Sequence, residues 1–292
     1  METKDLRNIA LISHGGAGKT SLADAMLFDA KVNTRLGMVD EGTSLFDYEP
    51  EELKRRKTLC SSLHHFRWQK CEINIIDTPG DANFAADVKS SLQVADTAVV
   101  LIDAVSGVQV QTEKVWGYAE DNALPRLIFI NKMDLERASF KQAITGVEEI
   151  LGIKPLVLQM PIGEEASFRG MIDLITMKAF LFSDDRSGSF TEEAIPDDLK
   201  EEAEALRGTM IEDIAESSDQ LLEKYLEGAT LSPEELLTGL TRGIQSCSLV
   251  PVLCGSAINN IGVHQLLNLI TTCYPSPAER PFKGVNPATK GE

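Results

Sequence analysis

The sequence predicts an α/β fold, with a doubly wound, mostly parallel sheet and an inserted α+β subdomain. Short apolar runs rich in β-branched residues recur along the 292 residues, each nearly continuous in hydrophobicity, as in strands buried on both faces of a parallel sheet. Stretches with helical periodicity separate these runs. A sheet of this kind binds ligands beyond the carboxyl ends of its strands, where the glycine-rich and polar motifs of this chain fall.

Strands and helices alternate along most of the chain. The apolar runs predict five strands, at 9–12, 73–76, 98–102, 127–130 and 250–253. An amphipathic run that begins at Ser21 predicts the first helix, and helical periodicity predicts four more, at 84–94, 112–122, 140–151 and 263–274. This order favours parallel pairing, because each helix can return the chain to the same edge of the sheet.

Residues 154–249 break the alternation and predict the insertion. They begin with a short apolar, turn-rich piece and continue as an acidic helical stretch at 196–226. We therefore expect one domain formed by residues 1–153 and 250–280, with an inserted subdomain at 154–249. Prolines at 275, 277, 281 and 287 predict that residues 281–292 form an extended linker towards further domains.

The composition predicts a soluble, cytoplasmic protein. The N-terminus lacks the apolar core of a signal peptide, and no segment has the apolar length needed to span a bilayer. The five cysteines are scattered without ligand spacing, which argues against zinc and disulfides. A net charge of −17 argues against broad attraction to DNA, RNA or anionic membranes, so any RNA contact must be local. The basic run at 54–57 is either such a contact or a solvated face.

The segment 13–20, which reads Ser-His-Gly-Gly-Ala-Gly-Lys-Thr, predicts a phosphate-binding loop between the first strand and the first helix. Backbone N–H groups at such a helix start converge on phosphate. Lys19 would reach the β- and γ-phosphates, and the Thr20 hydroxyl would hold Mg²⁺. Ser13 stands where the pattern usually has Gly, and a turn that only packs helix on sheet is the alternative. The predicted contacts are His14, Gly15, Gly16, Ala17, Gly18, Lys19, Thr20 and Ser21.

Asn131, Lys132 and Asp134 follow another predicted strand and predict selection of guanine. An Asp134 carboxylate accepts two N–H bonds from the guanine edge, and adenine cannot supply that pair, so the wrong base leaves the carboxylate unpaired. Asn131 would tie this loop to the phosphate loop, and the Lys132 stem would cover the base. After the last strand, Gly255, Ser256 and Ala257 would offer a backbone N–H to the guanine O6.

Two further segments predict the metal and γ-phosphate contacts. Asp77 ends a predicted strand, where its carboxylate can hold Mg²⁺ through water, and the Gly80 N–H can contact the γ-phosphate. Thr58 lies in a long polar segment and could close over Mg²⁺ and the γ-phosphate, although an ordinary strand-edge threonine fits its spacing as well.

The order of these motifs and their amino-acid sequences resemble those of the GTPase domain of elongation factor G. The phosphate loop at 13–20, the switch regions at 55–58 and 77–84 and the base-specific loops at 131–134 and 255–257 are similar to those of the family. Residues 161–164 and 168–174 resemble the start of the extra subdomain of this factor. The resemblance implies a P-loop GTPase fold, GTP/GDP and Mg²⁺ as ligands, and a cytoplasmic monomer that acts on the ribosome, both RNA and protein, in translocation or recycling.

Three departures from the family pattern concern catalysis. Asp81 stands where the family usually has a His that orients the attacking water, Gly16 stands where it commonly has Asp, and residues 55–58 read Arg-Arg-Lys-Thr instead of Arg-Gly-Ile-Thr. Lys19, Thr58, Gly80 and Asp81 are the predicted catalytic residues, and Thr20, Thr58 and Asp77 the predicted metal ligands. Two alternatives stay open: a GTP-binding regulatory module with little turnover, and a ribosome-protection or peptide-release GTPase.

Overall fold

The computed structural model describes residues 2–280 of the chain. The predicted linker at 281–292 therefore lies outside the described residues. Between residues 2 and 280 the strands are β1 (Leu6–Ile12), β2 (Ser62–Trp68), β3 (Cys71–Asp77), β4 (Thr97–Asp103), β5 (Arg126–Asn131), β6 (Pro155–Val157), β7 (Gln159–Ile162), β8 (Gly170–Asp173), β9 (Lys178–Phe182), β10 (Phe190–Glu193) and β11 (Val250–Cys254). The helices of the same part are α1 (Lys19–Asp29), α2 (Pro50–Arg55), α3 (Ala85–Val94), α4 (Val110–Asp121), α5 (Phe140–Leu151), α6 (Asp197–Glu216), α7 (Asp219–Leu226), α8 (Pro233–Gln245) and α9 (Val263–Cys273).

Seven strands form one large sheet in the order β2-β3-β1-β4-β5-β11-β6. All its pairs are parallel except β2 with β3, which form an antiparallel pair at one edge. The predicted doubly wound, mostly parallel sheet is thus confirmed. The register aligns Leu11 with Asp77 and Asp103 with Asn131. The polar residues that end these strands therefore meet at the carboxyl ends of the parallel strands.

The core lies on both faces of this sheet because alternate side chains of each buried strand point in opposite directions. In β1, Ile9 and Leu11 belong to one apolar cluster, whereas Ala10 and Ile12 belong to the other. All four side chains are fully buried. Burying an Ile or Leu side chain contributes roughly 1.5–3 kcal/mol, and these two layers therefore fix the strand ends that carry the polar loops.

A second, four-stranded antiparallel sheet has the order β10-β9-β8-β7, and α6, α7 and α8 follow it in the chain. The acidic stretch predicted as one helical region at 196–226 is two helices, because α6 ends at Glu216 and α7 begins at Asp219. The predicted insertion at 154–249 also contributes β6 to the large sheet, where Pro155 aligns with Val250. A proline is tolerated there because β6 is an edge strand and Pro155 is its first residue.

An aromatic contact joins the two sheets. The His264 ring on α9 lies 4.8 Å from the Trp68 ring at the end of β2 and 5.2 Å from the Phe190 ring on β10, measured between ring centroids. The Trp68 indole also donates to Asn268 on α9 at 2.9 Å. None of the described helices combines the length and the apolar character that crossing a membrane requires.

Candidate nucleotide-binding site

The loop between β1 and α1 is shaped by its glycines. Gly16 and Gly18 have φ angles of +86° and +96°, in the left-handed region that glycine adopts without strain. A Cβ atom at Gly18 would also collide with the Asn131 side-chain amide. The Ser13 hydroxyl donates to the Leu101 carbonyl at 2.8 Å, so Ser13 anchors the loop to β4. Ser13, the first residue of the motif, therefore has a structural role in this chain.

Lys19 begins α1 and is almost fully buried. Its ammonium donates to the His14 carbonyl at 3.1 Å, which bends the side chain back over the loop. Burial lowers the pKa of Lys19 to about 8, against the opposing charge of Asp77. A phosphate beside this ammonium would stabilise its charged form and raise the pKa again, so the buried lysine fits an anionic ligand.

Thr20, Thr58 and Asp77 come together although they are far apart in the sequence. The Thr20 hydroxyl donates to one Asp77 carboxylate oxygen at 2.6 Å and lies 3.0 Å from the Thr58 hydroxyl. The other Asp77 oxygen is buried without a partner, and burial raises the pKa of Asp77 to about 7. Hydroxyl and carboxylate oxygens are the hard donors that Mg²⁺ prefers, so this set fits the metal.

Two carboxylates that the sequence analysis did not single out hold Thr58 in place. Asp47 is buried and accepts a hydrogen bond from the Thr58 hydroxyl at 3.0 Å, and burial raises the pKa of Asp47. Glu52, buried on α2, accepts from the N–H groups of Leu59 and Cys60 at 2.8 and 3.2 Å. The sequence carries one signal for α2, since Pro50 is flanked by Glu49 and Glu52 at capping-box spacing.

At the opposite end, Asn131 connects three loops. Its side-chain N–H donates to the Ala17 carbonyl at 2.8 Å, and its side-chain oxygen accepts from the Ala257 N–H at 2.9 Å. The Met133 N–H donates to the Gly255 carbonyl at 3.2 Å. The predicted contact between Asn131 and the phosphate loop is thus present, and one buried side chain sets the distance between the phosphate and base ends of the site.

Lys132 and Asp134 follow Asn131. The Lys132 ammonium donates to an Asp103 oxygen at 2.7 Å. Burial alone would raise the pKa of Asp103, but this bond and those from the Val105 and Ser106 N–H groups hold it below its usual value. One Asp134 carboxylate oxygen is buried without a partner. An acceptor in that state is costly unless a ligand donor meets it, which fits the N–H edge of a guanine.

Gly80 and Asp81 lie across the phosphate loop. A Cβ atom at Gly80 would lie 2.6 Å from the Gly15 Cα, so the two loops touch through their glycines. The Asp81 carboxylate accepts from the backbone N–H and the side-chain amide of Asn83 at 3.0 and 2.9 Å. Asp81 therefore caps the short turn that precedes α3, and it is exposed at the mouth of the cleft.

These elements enclose one cleft of about 580 Å³, which we call the nucleotide cleft. Four of the predicted site residues, His14, Ala17, Asp77 and Gly255, lie outside its lining. The His14 ring is instead 2.9 Å from the Thr112 hydroxyl. The lining residues are Gly15, Gly16, Gly18, Lys19, Thr20, Ser21, Val39, Asp40, Asp47, Arg56, Lys57, Thr58, Gly80, Asp81, Asn131, Lys132, Asp134, Leu135, Ser256, Ala257 and Ile258.

A phosphate loop at the end of β1, together with the Asn-Lys-x-Asp loop at the end of β5, defines the class of guanine-nucleotide-binding GTPases. The sequence model of the elongation factor Tu GTP binding domain matches residues 4–276. The chain therefore belongs to that family of translational GTPases.

The crystal structure of a protein from Thermus thermophilus is also similar to this chain. The two are 33% identical, and the TM-score is 0.88. The similarity covers 94% of this chain but 41% of the Thermus chain, so this chain spans less than half the length of that protein.

Proposed function

We propose that this chain binds and hydrolyses GTP as the switch of a translation factor that resembles elongation factor G. The observation that carries the proposal is the base end of the nucleotide cleft. There Asn131 joins the phosphate loop to Ala257, and a buried Asp134 oxygen lacks a partner. This arrangement is complementary to a guanine base whose phosphates lie on the loop at 15–21.

The residues of the phosphate end support hydrolysis. Lys19 would pair with the β- and γ-phosphates, Thr20 and Thr58 would hold Mg²⁺ directly, and Asp77 would hold it through water. Mg²⁺ supplies positive charge that offsets the charge of the β- and γ-phosphates. The Gly80 N–H would donate to the γ-phosphate. Hydrolysis would remove the group that holds Thr58 and Gly80 together, and both segments would then relax.

Asp81 supports the alternative of a GTP-binding regulatory module with little turnover. Its carboxylate is engaged by Asn83, so it caps a turn where the family pattern has a histidine that orients water. We expect slow GTP hydrolysis while Asp81 is held by Asn83. Hydrolysis would be faster if Asp81 gave up these two hydrogen bonds and accepted a proton from the attacking water. The substitution Asp81→His should raise ribosome-stimulated turnover if water orientation is the limiting step.

We also propose the branch of the family to which this chain belongs and the partners of the full-length protein. Residues 161–164 and 168–174 resemble the extra subdomain of elongation factor G, and the Thermus chain has length beyond the matched part. We therefore assign 1–153 with 250–280 to the GTP-binding domain and 154–249 to the inserted subdomain. The full-length protein would act in the cytoplasm as a monomer on ribosomal RNA and proteins, in translocation or recycling; ribosome protection or peptide release is the other translational role.

Single-turnover GTP hydrolysis by the full-length protein, with and without ribosomes, tests the proposal. GDP binding is measured separately, with ADP as the control nucleotide. Stimulation by ribosomes supports a working translational GTPase. Tight guanine-nucleotide binding without stimulation favours the regulatory module, and the absence of preference for GDP over ADP contradicts both.

A further inference from the structure

The basic run at 54–57 is divided by the fold. Lys54 and Arg55 lie in the last turn of α2, where both are exposed and Arg55 pairs with Glu51 at 2.6 Å. Arg56 and Lys57 follow the end of α2 and line the nucleotide cleft. Arg56 and Lys57 therefore belong to the cleft lining, and Lys54 and Arg55 do not.

The backbone that carries Arg56 and Lys57 is fixed at the phosphate end. Thr58, the next residue, is 3.0 Å from Thr20 and donates to Asp47, and the Lys57 N–H donates to the Glu52 carbonyl at 3.3 Å. The side chains of Arg56 and Lys57 are exposed, and both line the cleft whose lining also includes Gly80 and Asp81.

Arg56 holds an uncommon backbone conformation. Its φ and ψ angles are 52° and 45°, the left-handed region, which costs a residue with a side chain about 1–2 kcal/mol relative to the usual helical conformation. Glycine avoids this cost, and the family pattern Arg-Gly-Ile-Thr has glycine at the position of Arg56. The left-handed conformation ends α2, as it does at many helix C-termini, and Arg56 combines it with a place in the cleft lining.

Asp81 gives a reason for positive charge in this cleft. Its carboxylate lines the same cleft, and a negative charge beside a γ-phosphate would raise the energy of the bound nucleotide. Arg56 and Lys57 add two positive charges to the lining of this cleft, and cations that approach a transferring phosphoryl group stabilise its developing charge.

From these observations we infer that Arg56 and Lys57 act in catalysis, by stabilising from within the chain the charge that develops during GTP hydrolysis. This inference rests on the proposed function. In the step concerned, a water oxygen forms a bond to the γ-phosphorus while the bond to the β,γ-bridging oxygen breaks, and its electron pair leaves with GDP. A water proton passes to the solvent or to the released phosphate.

The test compares five versions of the full-length protein in single-turnover hydrolysis at saturating GTP: the wild type, Lys57→Ala, Lys57→Arg, Arg56→Gly and the matched control Lys54→Ala. We expect Lys57→Ala to hydrolyse about a hundredfold more slowly, the size of effect seen when one donor to a developing charge is removed. GDP affinity should stay unchanged, because GDP lacks the γ-phosphate. Lys57→Arg should retain most of the rate, and Lys54→Ala all of it.

Arg56→Gly separates catalysis from folding. It relieves the left-handed strain, so its resistance to denaturant should equal or exceed that of the wild type while its hydrolysis rate falls. Wild-type rates in both cleft variants would overturn the inference. So would an equal loss of ribosome affinity in all three alanine or glycine variants with a reduced salt slope, which is the signature of an RNA contact. A wild type that hydrolyses no GTP contradicts the proposed function instead.

Discussion

The two ends of the nucleotide cleft are built in different ways. At the base end, the carbonyl and amide groups of three loops already pair through Asn131, and an Asp134 oxygen is buried without a partner. At the phosphate end, Thr20, Thr58 and Asp77 meet one another, and the buried Asp47 and Asp77 each keep an unpartnered oxygen. The loops of the base end are thus already joined to one another, whereas the phosphate end needs cations to satisfy its carboxylates.

The strongest test of this comparison is Asp134→Asn. The amide keeps one acceptor oxygen but puts an N–H donor in place of the other, so one of the two guanine N–H groups faces a donor instead of an acceptor. We expect GDP affinity to fall about a thousandfold, and affinity for xanthosine diphosphate, whose ring carbonyl accepts a bond, to rise. Calorimetry with both nucleotides measures the change, and Glu136→Gln in the same loop is the control. Equal GDP affinity in Asp134→Asn would show that Asp134 does not contact the base.

Asn131→Ala tests whether the base end is held together before the nucleotide arrives. The substitution leaves the Ala17 carbonyl and the Ala257 N–H without their partner, at about 1–3 kcal/mol for each buried group. We expect the nucleotide-free protein to unfold at lower denaturant and GDP affinity to fall about a hundredfold. Asn122→Ala, remote from the cleft, is the control. A loss of affinity without a loss of stability would mean that the loops are joined only when the ligand binds.

Asp77→Asn sharpens the comparison at the phosphate end. Because burial raises the pKa of Asp77 from 3.8 to about 7, the nucleotide-free fold holds a proton that the unfolded chain releases. The stability contributed by this group is therefore highest below about pH 4, falls as the pH rises to about 7 and stays low above it.

The asparagine variant removes that dependence. At pH 7.5 we expect nucleotide-free Asp77→Asn to be more stable than the wild type by on the order of 1 kcal/mol, while Mg²⁺-dependent GTP binding weakens. Urea unfolding from pH 5 to 7.5 measures the effect, with exposed Glu201→Gln as the control. A pH profile identical to that of the wild type would contradict the prediction.

The smallest effect is expected for Asp103→Asn. This change weakens the bond that fixes the Lys132 ammonium, and the lysine stem then covers the base less well. We expect GDP affinity to fall a few-fold, in keeping with a partly exposed ion pair of roughly 1 kcal/mol. A double-mutant cycle with Lys132→Ala gives the coupling energy. Additive effects would mean that the pair does not contribute to binding.

Much of the large sheet could be predicted from the sequence because its strands are buried on both faces and read as apolar runs. Helix α5 has the predicted bounds, 140–151, and β4 extends its prediction by one residue at each end. Strand β2 was missed, since it is an edge strand whose outward residues include His65 and Arg67. The strands β7 to β10 were missed because segments this short give no clear periodicity.

The candidate site divides in the same way. Local motifs indicated Lys19, Thr20, Asn131 and Asp134, since loop, spacing and flanking strand lie within a few residues of each other. No local motif indicated Asp47, Glu52 or Asp103. Each of these carboxylates binds a partner that lies several residues away in the sequence, so the neighbouring residues give no signal of the contact. A carboxylate in a polar segment cannot be recognised from the sequence, because only folding brings it into contact with its partner.

The Glu52 carboxylate connects the two ends of the segment 49–60. It accepts hydrogen bonds from the Glu49 N–H at one end and from the Leu59 and Cys60 N–H groups at the other. Thr58 therefore lies in one hydrogen-bonded unit with α2 and the four basic residues at 54–57. Those residues are trypsin sites, so the rate at which trypsin cuts this segment reports how often the whole unit opens.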